Sequence, residues 1–215
     1  MKTLGFTLIV SALACAQEPA EVEGERDRAV AGTQVPLRIP ADTQYRLSVG
    51  GKLQYHVQDM YDPEAVLRSA VAAGIDFVRN APPGWGQGVH GWGTSFASRM
   101  GQRAVKGSIM WSVESAAGWD PRPVRITSHG FMPRARDAIR NTLMARRDAG
   151  GQTFNWARLA GNYGSAFVSR TWNPPTRSSA GDALVSGSVG LGMDVGLSVV
   201  YEFWPDLRRA MHLGK

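Results

Sequence analysis

The sequence of 215 residues contains one cysteine, Cys15, so it forms no disulfide within the chain. If the N-terminus is removed after Ala16, the remaining chain also lacks a thiolate nucleophile and any cysteine-based metal site. Stability must then come from packing alone. Roughly two hundred residues remain, which is enough for one core of ordinary size.

The sequence also lacks the short motifs that mark common enzymes and metal sites. It has no HExxH, no GxSxG, no Walker-type phosphate loop and no carboxylate-rich calcium loop. Its four histidines are scattered along the chain. The segment 86–91 matches GxGxxG, but Pro82 and Pro83 precede it where a dinucleotide-binding unit requires a strand. We therefore predict no cofactor and no metal.

A short apolar run near the N-terminus predicts a signal peptide. Residues 4–14 are uncharged and apolar, and Ala14-Cys15-Ala16 offers the small-x-small pattern that signal peptidase accepts. The run is too short to cross a bilayer as a permanent helix. Residues 1–16 are thus predicted to direct export, to the periplasm or the outer membrane. The alternative is a lipoprotein signal that lipidates Cys15, although Ala12 stands where such signals usually carry Leu.

The next segment, residues 17–40, is polar and carries few large apolar side chains. A segment of this composition buries too little apolar surface to offset its ordering entropy, so we predict a disordered acidic leader. Residues 41–215 are then predicted to form a single helical domain. The acidic residues of the leader are Glu18, Glu21, Glu23, Glu25 and Asp27.

The formal net charge is +6 at neutral pH. Outside the cytoplasm, a positive excess indicates a membrane surface or an anionic envelope polymer as partner, and it argues against nucleic acid. Arg136, Arg140 and Arg147 are predicted to form a basic helix face that is either solvated or in contact with acidic headgroups. At this magnitude, solubility is the favoured explanation of the charge.

Hydrophobic periodicity and helix-breaking residues predict an all-α fold, a compact bundle of about six Gly-rich helices. The clearest start signal is Asp62-Pro63-Glu64, with Asp as cap, Pro in the first turn and Glu at the positive end of the helix dipole. The predicted helices run from Asp42 or Thr43 to about Met60 with an interruption at Gly50-Gly51, from Asp62 until Pro82, from Gly88 to Ala117, from Pro133 to Arg147, from Thr153 to Thr171, and from Ser179 to Phe203 with Pro205 as terminator.

Residues 185–203 also fit a different structure. Apolar residues occupy most odd positions there and small or polar residues most even ones, which is the alternation of a membrane β-barrel strand. The same segment places Val185, Val189, Val200 and Phe203 on one helical stripe. A barrel needs at least about eight strands, and 96–117 has helical periodicity, so the barrel remains the alternative to the bundle.

Small residues recur at every fourth position in two of the predicted helices. Such rows let helix backbones approach closely, in soluble bundles and in membrane helices that self-associate. Only 183–201 approaches the length of a membrane span, and it contains Asp194 and several glycines. We therefore favour close packing within a soluble bundle. The rows are Ala157, Gly161, Ser165 and Ser169, and Ser188, Gly192 and Gly196.

Three carboxylates lie within apolar stretches and are weak candidates for catalysis: Asp76, Glu114 and Asp194. Two carboxylates at a suitable separation perform glycosidase-type acid–base chemistry, and a cell-wall polymer is a natural substrate outside the cytoplasm. Nothing in their spacing makes any pair meet. Internal ion pairing, for example of Asp76 or Glu114 with Arg103, is the favoured interpretation.

A series of short motifs resembles a family of exported bacterial proteins of unknown function. The likeness covers most of residues 55–210, and it implies export and a single domain but no site. The motifs are Asp62-Pro63, Ala73-Gly74-Ile75-Asp76, Trp85-Gly86-Gln87-Gly88, Asp120-Pro121-Arg122, Phe154-Asn155-Trp156 and Glu202-Phe203-Trp204-Pro205-Asp206.

From the sequence we therefore expect an exported envelope protein that is not an enzyme. Its role would be structural, or the binding of a membrane or a ligand, and its glycine rows are compatible with helix–helix self-association. The alternative is a hydrolase that acts on a cell-envelope polymer or lipid.

Overall fold

The structure, a computed structural model, describes residues 46–80, 83–86, 88–124 and 126–210. The predicted signal peptide and acidic leader lie outside these residues. Six α-helices and three short strands are present in the described part of the chain. The helices are α1 (Val49–Tyr61), α2 (Pro63–Val78), α3 (Gly88–Ala117), α4 (Phe131–Leu143), α5 (Trp156–Ser169) and α6 (Ala180–Ala210), and the strands are β1 (Trp119–Asp120), β2 (Met144–Arg147) and β3 (Gln152–Phe154).

The predicted all-α bundle of about six helices is confirmed. Residues 185–203 lie within α6, so the strand interpretation of this segment is wrong. The helix is favoured because Gly187 and Gly190, at helical spacing, let it pack closely against its neighbour α5. A Cβ added at Gly187 would lie 2.6 Å from the Tyr163 ring, and one added at Gly190 would lie 2.6 Å from Oδ1 of Asn162.

The start of α1 differs from its prediction. Asp42 and Thr43, the predicted caps, lie outside the described residues, and the helix begins at Val49. Ser48 caps it, because its hydroxyl accepts a hydrogen bond from the backbone N–H of Gly51 at 3.1 Å. Gly50 and Gly51 therefore lie in the first turn and do not interrupt the helix.

At the start of α2, Pro63 occupies the first turn and Glu64 lies beside the positive end of the dipole, as predicted. The predicted side-chain cap is wrong, since Asp62 makes no capping hydrogen bond through its carboxylate. Only its backbone carbonyl contributes, by accepting from the N–H of Val66 at 3.0 Å.

The helix predicted to end at Arg147 stops at Leu143, and residues 144–147 form strand β2. Gly150 and Gly151 have φ angles of 96° and 84°, which suit a tight turn, and they return the chain into β3. The three strands form an antiparallel sheet in the order β1-β2-β3, with Met144 opposite Phe154. Thr153 therefore lies in a strand, and α5 begins after Asn155, whose side chain accepts from the N–H of Arg158 at 2.9 Å.

Helix α6 does not end before Pro205, as predicted, but continues to Ala210. A proline inside a helix removes one backbone hydrogen bond and is tolerated where other contacts support the helix. Arg134 of α4 makes such supporting contacts on both sides of Pro205. It donates to the carboxylate of Asp206 at 2.5 Å, to the carboxylate of Glu202 at 2.9 Å and to the carbonyl of Glu202 at 2.8 Å.

Helix α3 is the centre of the bundle. Helices α1, α2 and α5 pack against it, α6 packs against α5, and α4 packs against the second half of α6. Helix α5 reaches α3 closely because Gly161 faces Met110 and Gly164 faces Ile109, with no room for a Cβ at either glycine. Gly192 and Gly196, by contrast, face open space, so the predicted packing role of their row is wrong.

Candidate functional site

The interior of this bundle is polar. Among the described residues, the buried apolar side chains are Leu47, Met110 and seven alanines. Buried polar and charged residues are more numerous, and a buried charge is costly unless it is paired. They are Lys52, His56, Ser95, Glu114, Asp120, Arg122, Thr142, Asn155, Asn162, Ser165 and Ser169.

A cavity of about 280 Å³ opens within this polar interior. Side chains from α1, α2, α3, α4, α5 and α6 line it, together with the loop that follows β1. Asp120-Pro121-Arg122 holds this loop in place. The guanidinium of Arg122 donates to both carboxylate oxygens of Asp120, at 2.9 and 2.7 Å, and its backbone N–H donates to the same carboxylate at 3.0 Å.

On one side of the cavity, Asp194 of α6 lies between two cations. Nζ of Lys106 donates to both of its oxygens, at 2.8 and 2.7 Å, and Nη1 of Arg158 lies 3.2 Å away. The amide of Asn162 donates to Asp194 at 2.9 Å and accepts from Lys106 at 3.0 Å. This cluster joins α3, α5 and α6, and Gly190 leaves the space that the Asn162 side chain needs.

A second cluster joins α1 to α3 and to the hairpin between β2 and β3. Nε2 of His56 lies 2.6 Å from the carboxylate of Glu114, with both side chains buried. Lys52 makes an ion pair with Asp148 at 2.7 Å and donates to the carbonyl of Glu114 at 3.4 Å. His56 lines the cavity, whereas Glu114 lies behind it.

Two arginines complete the lining. Arg103 of α3 makes an ion pair with Asp59 of α1 at 2.9 Å. Arg68 of α2 lies over the ring of Tyr201, 5.3 Å from its centroid, and makes no ion pair within the described part of the chain. The Nε atoms of Arg103 and Arg158 are buried and have no hydrogen-bond partner among the described residues.

The cavity therefore has more positive than negative charge. Its lining contains four cations, Arg68, Arg103, Lys106 and Arg158, and three carboxylates. One carboxylate, Glu202, is bonded to Arg134 outside the lining, which leaves Asp59 and Asp194 facing the four cations. Hydrogen bonds from Arg134 to Asp206 and then Glu202 raise the pKa of Arg134, so that this guanidinium remains a permanent partner of Glu202.

Tyr55 adds a neutral donor to the cavity. Burial, and then the negative charge of Asp59, raise the pKa of its hydroxyl well above the usual value. The hydroxyl therefore stays protonated at physiological pH. It is able to donate a hydrogen bond to a bound anion without adding a charge of its own.

No protein-family model matches this chain, and neither does any curated protein or solved structure. The resemblance to exported bacterial proteins of unknown function thus stays a prediction. The function has to be inferred from the geometry of the chain itself.

The structure does not gather the three candidate carboxylates into one site. Asp194 lines the cavity, and Glu114 is buried against His56. Asp76 lines a second cavity of about 310 Å³, where it makes an ion pair with Arg99 at 2.5 Å. Within the described residues no group of three His, Asp, Glu or Cys side chains is placed to hold a metal ion.

The favoured interpretation, internal ion pairing, is confirmed for Asp76 and Asp194, whereas Glu114 is hydrogen-bonded to His56, and the suggested partner Arg103 is wrong. The reason is the direction of the chain. Helices α1 and α2 run antiparallel to α3, so His56 meets Glu114 near the end of α3 and Asp59 meets Arg103 about three turns further back. Asp76, later in the chain, then meets Arg99.

Sequence reasoning missed four residues of this site: Tyr55, Arg68, Arg158 and Tyr201. One signal was present for Arg158, because it is the only charge between Trp156 and Ser169. A lone charge in a small-residue helix that packs tightly has to find a partner. The other three carry no such signal, since their environment depends on which helices are neighbours.

Proposed function

We propose that this protein is a non-enzymatic binding protein of the cell envelope whose cavity holds a small anionic molecule, a carboxylate or a phosphate. The observation that supports this function is the charge of the cavity, where four cations face two carboxylates. A volume of about 280 Å³ suits a ligand of a few non-hydrogen atoms up to the size of a sugar phosphate.

The donors of the cavity suit an oxyanion. Arginine presents a planar fork of N–H groups that matches carboxylate and phosphate geometry. Among the described residues, Arg68 lines the cavity without an ion pair to a carboxylate, so its guanidinium is available to a ligand. The ion pairs with Asp59 and Asp194 hold the other cations in position, so that little side-chain entropy is lost when a ligand enters.

The location is proposed from the sequence. A signal peptide at residues 1–16 would deliver the chain to the periplasm or the outer membrane. There the anionic partners are lipid headgroups, envelope polymers and their soluble fragments, not nucleic acid.

A hydrolase acting on an envelope polymer or lipid is the second candidate, and one observation favours it. The buried pair of His56 and Glu114 resembles the orientation of a histidine base by a carboxylate. However, no hydroxyl of the described residues is hydrogen-bonded to the His56 ring, which uses Nε2 for Glu114. A catalytic role would require release of soluble sugar or fatty acid from envelope material, and loss of that release in His56→Gln.

Calorimetric titration of the full chain with inorganic phosphate, glycerol 3-phosphate and acetate tests the binding proposal. We expect saturable binding of at least one of them. Arg68→Gln should weaken it by roughly ten-fold or more, because it removes a charged hydrogen-bond donor. The matched control is Arg79→Gln, an exposed arginine at the end of the same helix, which should leave the affinity unchanged.

The proposal fails if none of the three anions binds. It also fails if the two arginine substitutions weaken binding equally, because the effect would then arise from net charge and not from the cavity.

A further inference from the structure

The outer surfaces of four helices carry few exposed charged side chains, although the ion-paired Arg99 and Asp206 are 38 % and 44 % exposed. This holds for residues 65–78 of α2, 91–117 of α3, the whole of α5 and 183–207 of α6. Every charged residue in these stretches except Glu114 and Asp206 lines one of the two cavities. Large exposed apolar side chains cover the outside of α2, α5 and α6: Leu67, Val71, Ile75, Phe77, Val78, Phe167, Val168, Leu184, Val185, Val189, Met193, Val200 and Leu207.

Polarity is therefore inverted relative to a water-soluble domain. A soluble bundle buries its large apolar residues and exposes its charges. Here most charges face the interior and, Arg68 apart, have a partner within the described residues, as they do when a bundle interior must be separated from hydrocarbon. An exposed apolar surface of this extent marks contact with a membrane or with another protein.

Helix α6 is long and apolar enough to cross a bilayer. Its apolar stretch covers Ala180–Leu207, 28 residues, or about 42 Å of helix, against a hydrocarbon thickness of about 30 Å. Soluble core helices and signal sequences also pass this criterion. In α6, however, only 11 % of the most apolar stretch is buried, and the helix lies near the C-terminus. Neither of those explanations fits it.

Exposed hydroxyls on these helices are satisfied within the helix itself. Ser108, Ser112 and Ser188 each donate to the backbone carbonyl four residues earlier, at 2.8 to 2.9 Å. In water such groups would bond to solvent. Internal satisfaction is what a lipid-facing helix requires, because hydrocarbon offers no partner.

The seven tryptophans lie toward the two ends of the bundle. Trp85, Trp92 and Trp172 are at the end where α3 begins and α5 stops, and Trp172 donates to Ser98 of α3 at 2.9 Å. The remaining four, Trp111, Trp119, Trp156 and Trp204, lie toward the opposite end. Tryptophan is enriched at both interfaces of a membrane, where its ring meets hydrocarbon and its N–H meets water.

Exposed charged side chains are present on α4 and the sheet, at the end of the bundle that holds Trp204. Arg136, Arg140 and Arg147 are exposed there, beside the exposed apolar residues Phe131 and Met132. This basic, partly apolar cap complements anionic lipid headgroups.

We propose that the outer faces of α2, α5 and α6 lie against the hydrocarbon chains of a phospholipid bilayer, with α6 crossing it and the basic cap at the headgroups. The first cavity then faces the interior of the bundle, and the second opens beside Val185 and Val189 of α6. This inference goes beyond anion binding and does not depend on it, since it concerns the outside of the molecule.

Depth-dependent quenching tests the proposal. The full chain, with Cys15→Ser, is labelled with an environment-sensitive fluorophore at Met193→Cys, an exposed α6 position that lines neither cavity, and reconstituted into vesicles of phosphatidylethanolamine and phosphatidylglycerol. We expect blue-shifted emission that lipids with mid-chain nitroxides quench. Ala149→Cys, on the exposed hairpin, is the control and should be quenched by aqueous iodide.

Two outcomes would overturn the inference. If iodide quenches the label at position 193, this face lies in water. If neither iodide nor the lipid nitroxides quench it, a second copy of the chain covers the face and not lipid.

A charge substitution provides an independent measurement. Met193→Arg should reduce co-flotation with the same vesicles at least ten-fold, because arginine is strongly disfavoured at mid-membrane depth. Val57→Arg is the matched control on α1, which already exposes Asp59. Circular dichroism in detergent confirms that both variants are folded. Equal co-flotation of the two variants would contradict a lipid-facing α6. The phosphate titration, which tests anion binding, is a separate measurement and does not depend on this result.

Discussion

At the scale of single residues, Asp194 has the most connected position in the chain. Its carboxylate neutralises Lys106 and Arg158 and accepts from Asn162, so one side chain links three helices. A partly buried carboxylate in this position is stabilised by its partners, and its partners depend on it. Loss of Asp194 would leave two cations in the interior without a counter-charge.

We therefore expect Asp194→Asn to lower the free energy of unfolding by about 3 kcal/mol, the cost of breaking a buried pair. Chemical denaturation followed by circular dichroism measures it. Glu64→Gln, at an exposed carboxylate in α2, should change the same quantity by less than about 1 kcal/mol. The double change Lys106→Met with Asp194→Leu should recover part of the loss, since only Arg158, instead of both Lys106 and Arg158, would then lack its counter-charge. Equal effects of Asp194→Asn and Glu64→Gln would show that the cluster contributes nothing to stability.

At the scale of secondary-structure elements, the glycines of α6 divide into two groups that local sequence does not distinguish. Gly187 and Gly190 face α5 and permit close approach, whereas Gly192 and Gly196 face outward with no atom near them. Glycine costs about 1 kcal/mol relative to alanine in a helix, so only the first group has a packing reason for that cost.

The difference between the two groups of glycines predicts opposite effects on stability when Gly190 and Gly192 are each replaced by Ala. Gly190→Ala should destabilise the protein by about 1 to 3 kcal/mol, because its Cβ would strike the Asn162 amide that Lys106 holds in place. Gly192→Ala should stabilise it by up to about 1 kcal/mol through helix propensity. Thermal unfolding of both variants decides the point. If Gly192→Ala is the more damaging of the two, the assignment of faces on α6 is wrong.

At the scale of the whole molecule, the distribution of charge divides the surface into two regions. The four helices with inward-facing charges present an apolar exterior, and the α4–sheet cap presents exposed arginines. The excess positive charge of the chain, which is +6 in total, is therefore concentrated at this cap, where it can meet anionic headgroups.

Replacing Arg136, Arg140 and Arg147 by Gln should weaken association with phosphatidylglycerol vesicles by on the order of 100-fold at low salt, at about 1 kcal/mol for each arginine. Sedimentation of vesicles with bound protein measures the change. Vesicles of phosphatidylcholine alone should show no difference between the triple variant and the parent. The difference should also vanish in about 1 M salt, where charges are screened beyond about 3 Å. A difference that persists under either condition would mean that the cap does not act through charge.

The sequence by itself was sufficient for the number and order of the helices and for the length of α3, because helical periodicity and breaking residues such as Pro82 and Gly118 act locally. It also marked Asp76, Glu114 and Asp194 as charges that need partners. It misjudged 144–147 and Pro205, where long-range contacts override local preference: the pairing of β2 with β3, and the hydrogen bonds of Arg134.

Only the tertiary structure decided which cation each carboxylate meets, that Tyr55 and Arg68 share a cavity with Asp194, and which face of α6 is left uncovered. The physical reason is that an ion pair or a cavity belongs to two or more helices at once. Their relative direction and rotation depend on packing across the bundle, for example at Gly161 and Gly190, and on no single segment of the chain.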